Sequence, residues 1–511
     1  MWLSPANVLC HWAMYYPTRI AARVNGCDVT YSELASRALA VASTISEQSA
    51  NKNKLERCAV IAKSKLEFLI AAYGAMFARC SLIVVNPKLT EGDLAQLLTD
   101  NEAEHLVCDD GTKSIVEAVT RRVKDLRSPI VLSTVGTKNT NPESLQRWKL
   151  ASSQGNLYDE WGLVFSSGST GVPKAIVQSH LGVISESLAW HLELELRRDS
   201  RFFVARPLFY TGGLALTLAC HTTGAMVVVA DGDDNDPGST LSGLAAAAKL
   251  GHIDWVFFVP EQARSILRHQ TRWDFPGNPA SVLIMGSKTS GDEKQSLANF
   301  FGAAVVESWG NSEGLGTITD REDLARRPSS IGRSFIGEHV LVVNDENCEA
   351  LAARAVGRLA GTESTMFTEY AGAPDVTAST KRAGLVLSAD LGYQDDDGYL
   401  YILGRTDDVA RLTNGDWVTV DAVERRVMSM AHITEVAAIV VKENEQIKIG
   451  LMVILESSSD AEEQVSAIEA SVRSLFPDPA IICKTLVVQQ IPRLATGKTD
   501  RVTIRRTLGW N

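Results

Sequence analysis

Several things this sequence has little of narrow its possibilities before any motif is read. Positive charge is outweighed: 50 Lys and Arg against 61 Asp and Glu give a formal net charge of −11. Neutralising a nucleic-acid backbone takes clustered Lys and Arg, so a broad nucleic-acid surface is excluded, although a local nucleotide site is not. Long apolar runs are lacking, and no stretch approaches the roughly 18 apolar residues of a membrane span. The start, Met1-Trp2-Leu3-Ser4-Pro5, has no basic flank leading into an apolar segment, as a secretion signal would. The eight cysteines (Cys10, Cys27, Cys58, Cys80, Cys108, Cys220, Cys348 and Cys483) form no C-x-x-C pair and no zinc-finger spacing. Scattered in this way they read as reduced thiols of a cytoplasmic protein. Repeats and low-complexity tracts are absent, and the acidic run Asp231–Asp236 reads as a solvated loop.

What is present is a globular chain whose 511 residues exceed one ordinary core, so at least two domains are expected. In its first part, short continuous apolar runs such as Cys58–Ala62 and Ser81–Val85 suit buried parallel strands. The Ala-rich segment between them suits a crossover helix, and a polar-capped helix opens at Tyr31-Ser32-Glu33-Leu34. Similar runs recur at Phe202–Ala205, Met226–Ala230, Trp255–Val259 and Val282–Met285, with a helical stretch at Leu241–Leu250. After about residue 330 shorter strands, Val340–Val343 and Gly384–Leu387, indicate a β-rich lobe. A small α+β unit follows Gly404-Arg405: a helix from about Asp421, strands at Val436–Val441, Ile449–Leu455 and Thr485–Val488, and a helix near Glu462–Leu475. The expected architecture is α/β: a large N-terminal domain over 1–403, with two α/β subdomains and a β-rich lobe, and a small domain over 404–511. The main boundary falls at Leu403–Asp407.

The most informative segment is Phe165-Ser166-Ser167-Gly168-Ser169-Thr170-Gly171-Val172-Pro173-Lys174, which follows the strand-like Trp161–Phe165. Gly168 and Gly171 allow a tight turn that brings N–H groups near an anion, the hydroxyls add donors, and Lys174 supplies a mobile positive charge. That set suits a polyphosphate; a ligand-free Ser/Gly-rich surface loop is the plain alternative. It is not a Walker loop, because the pattern from Gly168 is G-x-x-G-x-x-K and Ala175 stands where Ser or Thr is needed.

Three further segments accompany it: Ser308-Trp309-Gly310-Asn311-Ser312-Glu313, Ser388-Ala389-Asp390 with Gly404-Arg405-Thr406-Asp407-Asp408, and Pro492-Arg493-Leu494-Ala495-Thr496-Gly497-Lys498. Together the four resemble, in order and approximate spacing, the S-G-[ST]-T-G-x-P-K, Y-G-x-[ST]-E, T-G-D…G-R-x-D-D and P-x-x-x-x-G-K motifs of the adenylate-forming superfamily. That superfamily holds acyl-CoA synthetases, peptide-synthetase adenylation domains and luciferases, and the resemblance covers essentially the whole chain. It implies that a carboxylate attacks the α-phosphorus of ATP and expels pyrophosphate, with Mg²⁺ offsetting the charge.

By resemblance, Ser166, Ser167, Gly168, Ser169, Thr170, Gly171 and Lys174 cradle the phosphates, Thr170 being the expected hydroxyl contact. Gly286, Ser308, Trp309, Gly310, Asn311 and Ser312 complete the nucleotide site, with Glu313 holding the metal. Trp309 stands where Tyr is usual, as an adenine platform or as a core aromatic. Asp390 is expected on the ribose hydroxyls and Arg405 near ribose and phosphate, although Ser388-Ala389 replace the usual Thr-Gly. Lys498 is the expected adenylation catalyst, a long, flexible point charge between carboxylate and α-phosphate. Asp407 matches the hinge about which the family's mobile C-terminal domain rotates between half-reactions. The second half-reaction is assigned to the loop of Arg411 and Gly415, where Ala410-Arg411 departs from the usual Ile-Lys and one residue is added. Asp395-Asp396-Asp397-Gly398 reads as a turn.

The acid is expected against Phe209, Tyr210, Gly212, Gly213, Trp255, Phe258, Met285 and Gly314. Tyr210 stands where many acyl-CoA synthetases have His, as a gate or as packing. No Asp lies between Pro207 and Leu214 to pair with an α-ammonium. An aromatic, alicyclic or medium-chain acid without a free α-amine is therefore expected. CoA is the expected acceptor, with a phosphopantetheinyl carrier protein or direct capture by an amine or amino acid as alternatives. A nucleotide-binding module that has lost catalysis would be expected to lack Glu313, Asp390 or Lys498, yet all three are present.

Overall fold

The structure is a computed structural model that describes residues 4–49, 54–138, 140–152, 156–166, 174–232, 236–269, 273, 277–362, 366–443, 446–456, 461–493 and 499–510. It is mixed α/β, as the sequence pattern implies. Outside residues 167–173, the chain divides into two compact units, one of residues up to 340 with 361–386, the other of 341–360 with 387–511.

Two sheets organise the first unit. In one, the parallel strands Ala304–Gly310, Ser281–Met285, Trp255–Phe258, Arg201–Val204 and Met226–Val229 lie side by side in that order. In the other, Arg57–Ile61 and Ser81–Val84 are parallel neighbours, joined through the helix Lys65–Phe77, and Glu160–Ser166 runs parallel to Ser81–Val84. The continuous apolar runs arise because these strands are buried on both faces. Side chains alternate all the same: Leu283 and Met285 face one core, Val282 and Ile284 the other. The helix Tyr31–Gln48 opens with a complete capping box between Thr30 and Glu33.

The acidic run has structural ends. The Asp231 carboxylate accepts from the Lys65 backbone N–H at 2.9 Å, at the start of Lys65–Phe77. Asp236 caps the helix Pro237–Lys249 by accepting from Gly238 and Ser239.

The second unit contains most of the strand Leu385–Gln394, from Leu387 on, with its antiparallel partner Leu400–Arg405, and a C-terminal three-stranded sheet. There Ile433–Glu443 pairs antiparallel with Gln446–Leu455, which pairs parallel with Ile481–Val487. Ala438 and Val440 pack with residues of the helices Val420–Met428 and Ala461–Leu475, while Ala437, Ile439 and Val441 pack with Ile504 and Leu508. The expected boundary at Leu403–Asp407 falls within this unit, at the end of Leu400–Arg405 and before the strand Val409–Arg411. The Asp395–Gly398 segment is a turn, closed by the Asp395 N–H donating to the Tyr399 carbonyl at 2.8 Å.

Candidate active site

The sheet fixes both flanks of the Ser/Gly-rich loop. Glu160–Ser166 and Lys174–Ser179 are antiparallel neighbours, with Ser166 opposite Lys174. The chain thus leaves and re-enters the sheet at one point. Ser167, Gly168, Ser169, Thr170 and Gly171 lie outside the described residues, as does Lys498.

The second motif forms a hairpin between Ala304–Gly310 and Gly316–Ile318, with Trp309 opposite Thr317 and Gly310 opposite Gly316. Asn311 closes the turn: its backbone N–H donates to the Leu315 carbonyl at 3.1 Å, and its side-chain oxygen accepts from the Leu315 N–H at 2.9 Å. Gly314, at φ +93°, supplies a backbone conformation that residues with a Cβ rarely adopt. This geometry puts Ser312 and Glu313 at the tip, where both are held from other elements. The buried Gln178 amide donates to the Ser312 carbonyl at 3.2 Å, and the Thr211 hydroxyl lies 3.4 Å from the Ser312 hydroxyl. The Tyr370 hydroxyl donates to Glu313 Oε1 at 2.5 Å. Tyr370 ends the strand Phe367–Tyr370, antiparallel to Lys174–Ser179, and the Lys174 ammonium lies 5.4 Å from its ring centroid. Lys174 and the adjacent pair Ser312 and Glu313, distant from it in sequence, therefore share one locality. Trp309 is half-buried against the neighbouring core.

The segment Arg206–Leu214 leads into the helix Thr211–Thr223. The Phe209 and Tyr210 ring centroids are 4.5 Å apart, and the Arg206 guanidinium lies 4.3 Å over the Tyr210 ring. Gly212 comes so near Met285 that a Cβ there would stand 2.5 Å from its terminal methyl, and one on Gly213 would stand 2.7 Å from the Pro207 carbonyl oxygen. Met285 lies opposite Ser308 in the parallel pair, and Gly286 follows it directly. Tyr210, Gly212, Gly213, Met285, Ser308 and Gly314 are thus brought to the carboxyl ends of the strands, where open α/β sheets hold ligands.

Trp255 and Phe258 are not brought there. Trp255 starts its strand, buried, with its indole N–H donating to the Leu194 carbonyl at 3.0 Å. Phe258 faces the opposite core and stacks on Phe301 at 5.6 Å. Its neighbour Phe257 takes the inner position, 3.5 Å from where a Gly212 Cβ would be. Phe258 is misplaced because burial on both faces hides the parity of an apolar run, whereas Trp255 shares the parity of Phe257 but lies at the opposite end of the strand from the site.

In the second unit, Asp390 stands directly opposite Arg405 across the antiparallel pair. The Asp390 N–H donates to the Ser388 hydroxyl at 3.0 Å, so Ser388 helps to fix the backbone on which Asp390 stands. Asp407 follows Arg405 closely, and its neighbour Asp408, raised by burial against the opposing pull of Arg501, lies 3.8 Å from the Arg501 guanidinium. Arg411 lies opposite Trp417. Its guanidinium donates back to the Gly415 carbonyl at 3.3 Å, and Gly415 turns the loop at φ +93°.

Tyr370 and Gln178 were not legible as site residues. Neither belongs to a motif; the only sequence signal was an aromatic residue ending a short strand.

The sequence matches the profile of the family described as AMP-binding enzyme over residues 9–371. The chain belongs to that family, within the adenylate-forming superfamily. It is an AMP-forming acid ligase. A 3-hydroxybenzoate–CoA ligase of Aromatoleum sp. (strain CIB) is 25% identical over 497 residues, covering 94% of this chain and 92% of that one. ATP-bound MatB from Rhodopseudomonas palustris has the same fold, with a TM-score of 0.81 at 21% identity over 99% of each chain. The amide bond synthetase McbA from Marinactinospora thermotolerans likewise superposes with a TM-score of 0.81 at 18% identity, covering 98% of this chain and 99% of that one. Among the described residues no helix is long and apolar enough to cross a membrane.

Proposed function

We propose that this ligase joins a carboxylic acid to ATP as an acyl-adenylate, releasing pyrophosphate, and then transfers the acyl group to CoA. The observation that carries this reading is the convergence of Lys174, Ser312 and Glu313 at the mouth of the Ser/Gly-rich loop. Two anionic reactants must be held together there, and an ammonium, a hydroxyl and backbone N–H groups suit that task. The donor set also fits Mg²⁺, which takes one or two protein carboxylates alongside substrate phosphates. Glu313 would hold it, and the ion would neutralise charge developing on the phosphates.

In this reading Asp390 and Arg405 bind the ribose side and Lys498 supplies the positive charge at the reacting carboxylate. The part from 404 to 511 moves about Asp407 to exchange Lys498 for the Arg411 loop. Relatives named as CoA ligases support CoA as acceptor. The departure at Ala410-Arg411 from the usual Ile-Lys keeps one second reading, capture of the adenylate by an amine, and the fold likeness to an amide bond synthetase is consistent with it.

The test is carboxylate-dependent ATP–pyrophosphate exchange over aromatic, alicyclic, fatty and amino acids, followed by product analysis with CoA or an amine. Exchange that depends on one class of acid, with thioester formed on adding CoA, is the expected result. Exchange with no acid would remove the reading. Amide without thioester would move the chain to the second one.

A further inference from the structure

A group of three carboxylates adjoins the hairpin that carries Ser312 and Glu313. The Glu338 carboxylate accepts from the Gly316 backbone N–H at 2.7 Å, and Gly316 is the partner of Gly310 across that hairpin. Glu186 and Glu193 lie on the helix His180–Glu193, seven residues apart and so on one face, and both bear electrostatically on Glu338. Glu193 is held by the Ile336 N–H, which donates to it at 2.6 Å. Among the described residues no Lys, Arg or His bears on Glu186 or Glu338. Burial, then the like charges of Glu186 and Glu193, push Glu338 up to about 8. Burial pushes Glu186 up to about 7. Both side chains stay partly accessible although deep in the protein, so they line a recess rather than the outer surface.

Two buried polar atoms beside this recess have no partner. The indole N–H of Trp190, 3% exposed, faces Glu186 one helical turn away and offsets part of its burial, yet no acceptor sits at hydrogen-bonding geometry to it. Its ring meets Phe335 edge-on at 4.7 Å. The Ser308 hydroxyl, also 3% exposed and unpartnered, lies opposite Met285 in the parallel pair and so shares its face. The wall therefore passes from Met285 and Ser308, through Gly316 and Phe335, to the carboxylates.

Uncompensated carboxylates are costly to bury, and only protons or an incoming cation offset that cost. We propose that this recess is the far end of the acid pocket, and that it selects carboxylic acids bearing a protonated amine remote from the carboxyl group to be activated. The ammonium lies among Glu186, Glu193 and Glu338, with the Trp190 and Phe335 rings adding cation–π attraction. The inference rests on the acyl-adenylate reading and deepens it. It is compatible with the missing α-ammonium partner near Tyr210, because the amine concerned is at the other end of the acid.

The experiment uses the full chain and pairs of near-isosteric acids in ATP–pyrophosphate exchange: 4-(aminomethyl)benzoate with 4-ethylbenzoate, and 6-aminohexanoate with heptanoate. 4-(Carboxymethyl)benzoate serves as the oppositely charged probe. In the pair whose length fits, the amine-bearing acid is expected to lead in kcat/KM by about tenfold or more, the ratio collapsing towards one in Glu338→Gln and Glu186→Gln. Preference for the apolar or dicarboxylic member in wild type overturns the proposal, and so does a ratio unmoved in both variants. The wild-type ratio decides even if a variant fails to fold. If neither member of any pair supports exchange, nor any acid of the wider panel, the adenylation reading itself falls. If only apolar acids support it, adenylation stands and this inference alone is lost.

Discussion

The Tyr370 hydroxyl donates to Glu313 Oε1 at 2.5 Å across 57 residues of sequence, and the same ring lies 5.4 Å from the Lys174 ammonium. One side chain thereby spaces the carboxylate proposed to hold Mg²⁺ from the cation proposed to meet the phosphates. Losing that bond would remove one of the contacts that fix where the Glu313 carboxylate points.

Tyr370→Phe should therefore raise the Mg²⁺ concentration needed for half-maximal exchange, by about tenfold if a charge-assisted hydrogen bond of roughly 1.5 kcal/mol orients Glu313. Saturating Mg²⁺ should restore most of the rate. An unchanged Mg²⁺ dependence would show that the tyrosine only packs.

Lys498 is the residue on which the adenylation step depends in the proposed mechanism. Its segment is bracketed by a bridge between Arg493 and Thr499 and by the Asp500 N–H donating to the Pro492 carbonyl at 2.9 Å. Lys498→Ala should cut exchange by about a hundredfold or more while leaving ATP affinity within about threefold. Wild-type exchange in that variant would take Lys498 out of the mechanism.

Much of this arrangement was legible because it rests on local pattern. The strands Ser281–Met285 and Trp255–Phe258 announce themselves as short apolar runs, and the motifs around Ser312 and Arg405 carry their own spacing. Asp390 and Arg405 belong to adjacent strands, so a short-range hairpin sets them opposite each other. Tyr370, Glu338 and Glu186 were not legible, since each acts through partners far away in sequence. Phe258 was misread for another reason: in a strand buried on both sides composition does not reveal which parity faces the site, and for Trp255, which has the right parity, it does not reveal which end of the strand meets the site. Asp231 and Asp236 looked like a bland acidic loop because a helix cap and a solvated carboxylate have the same sequence signature.

A buried ion pair supports the strand that ends in Trp309 and Gly310. Lys294 and Glu307, each 3% exposed, meet at 2.7 Å, and Lys294 also donates to the Ser330 carbonyl at 3.2 Å. Lys294→Met leaves Glu307 buried without its cation, which should cost about 3–5 kcal/mol of stability. The double change Lys294→Met with Glu307→Leu should recover part of that loss. Thermal unfolding of the three proteins checks it, and a single variant as stable as wild type would mean that Glu307 is neutralised by other means.

The buried His221 gives the first unit a pH dependence whose sign follows from its hydrogen bonds. Its Nε2 lies 3.1 Å from the Ala21 carbonyl, which can only accept, so Nε2 carries the proton. Its Nδ1 must then accept from the Tyr73 hydroxyl at 2.7 Å, which leaves no place for a second proton. Burial accordingly lowers His221 to about 4, from an ordinary value of 6.5. Because the folded value lies below the unfolded one, the unfolded chain binds the extra proton more readily. The stabilisation is complete above about pH 6.5 and is lost progressively as the pH falls towards 4, by up to roughly 3 kcal/mol. His221→Asn should be less stable than wild type near neutrality, since it disturbs the bond to Tyr73, but should lose less on acidification. Unfolding midpoints at about pH 7.5 and about pH 5 compare the two. Equal losses in both proteins would assign the acid sensitivity to other groups and remove His221 from the account.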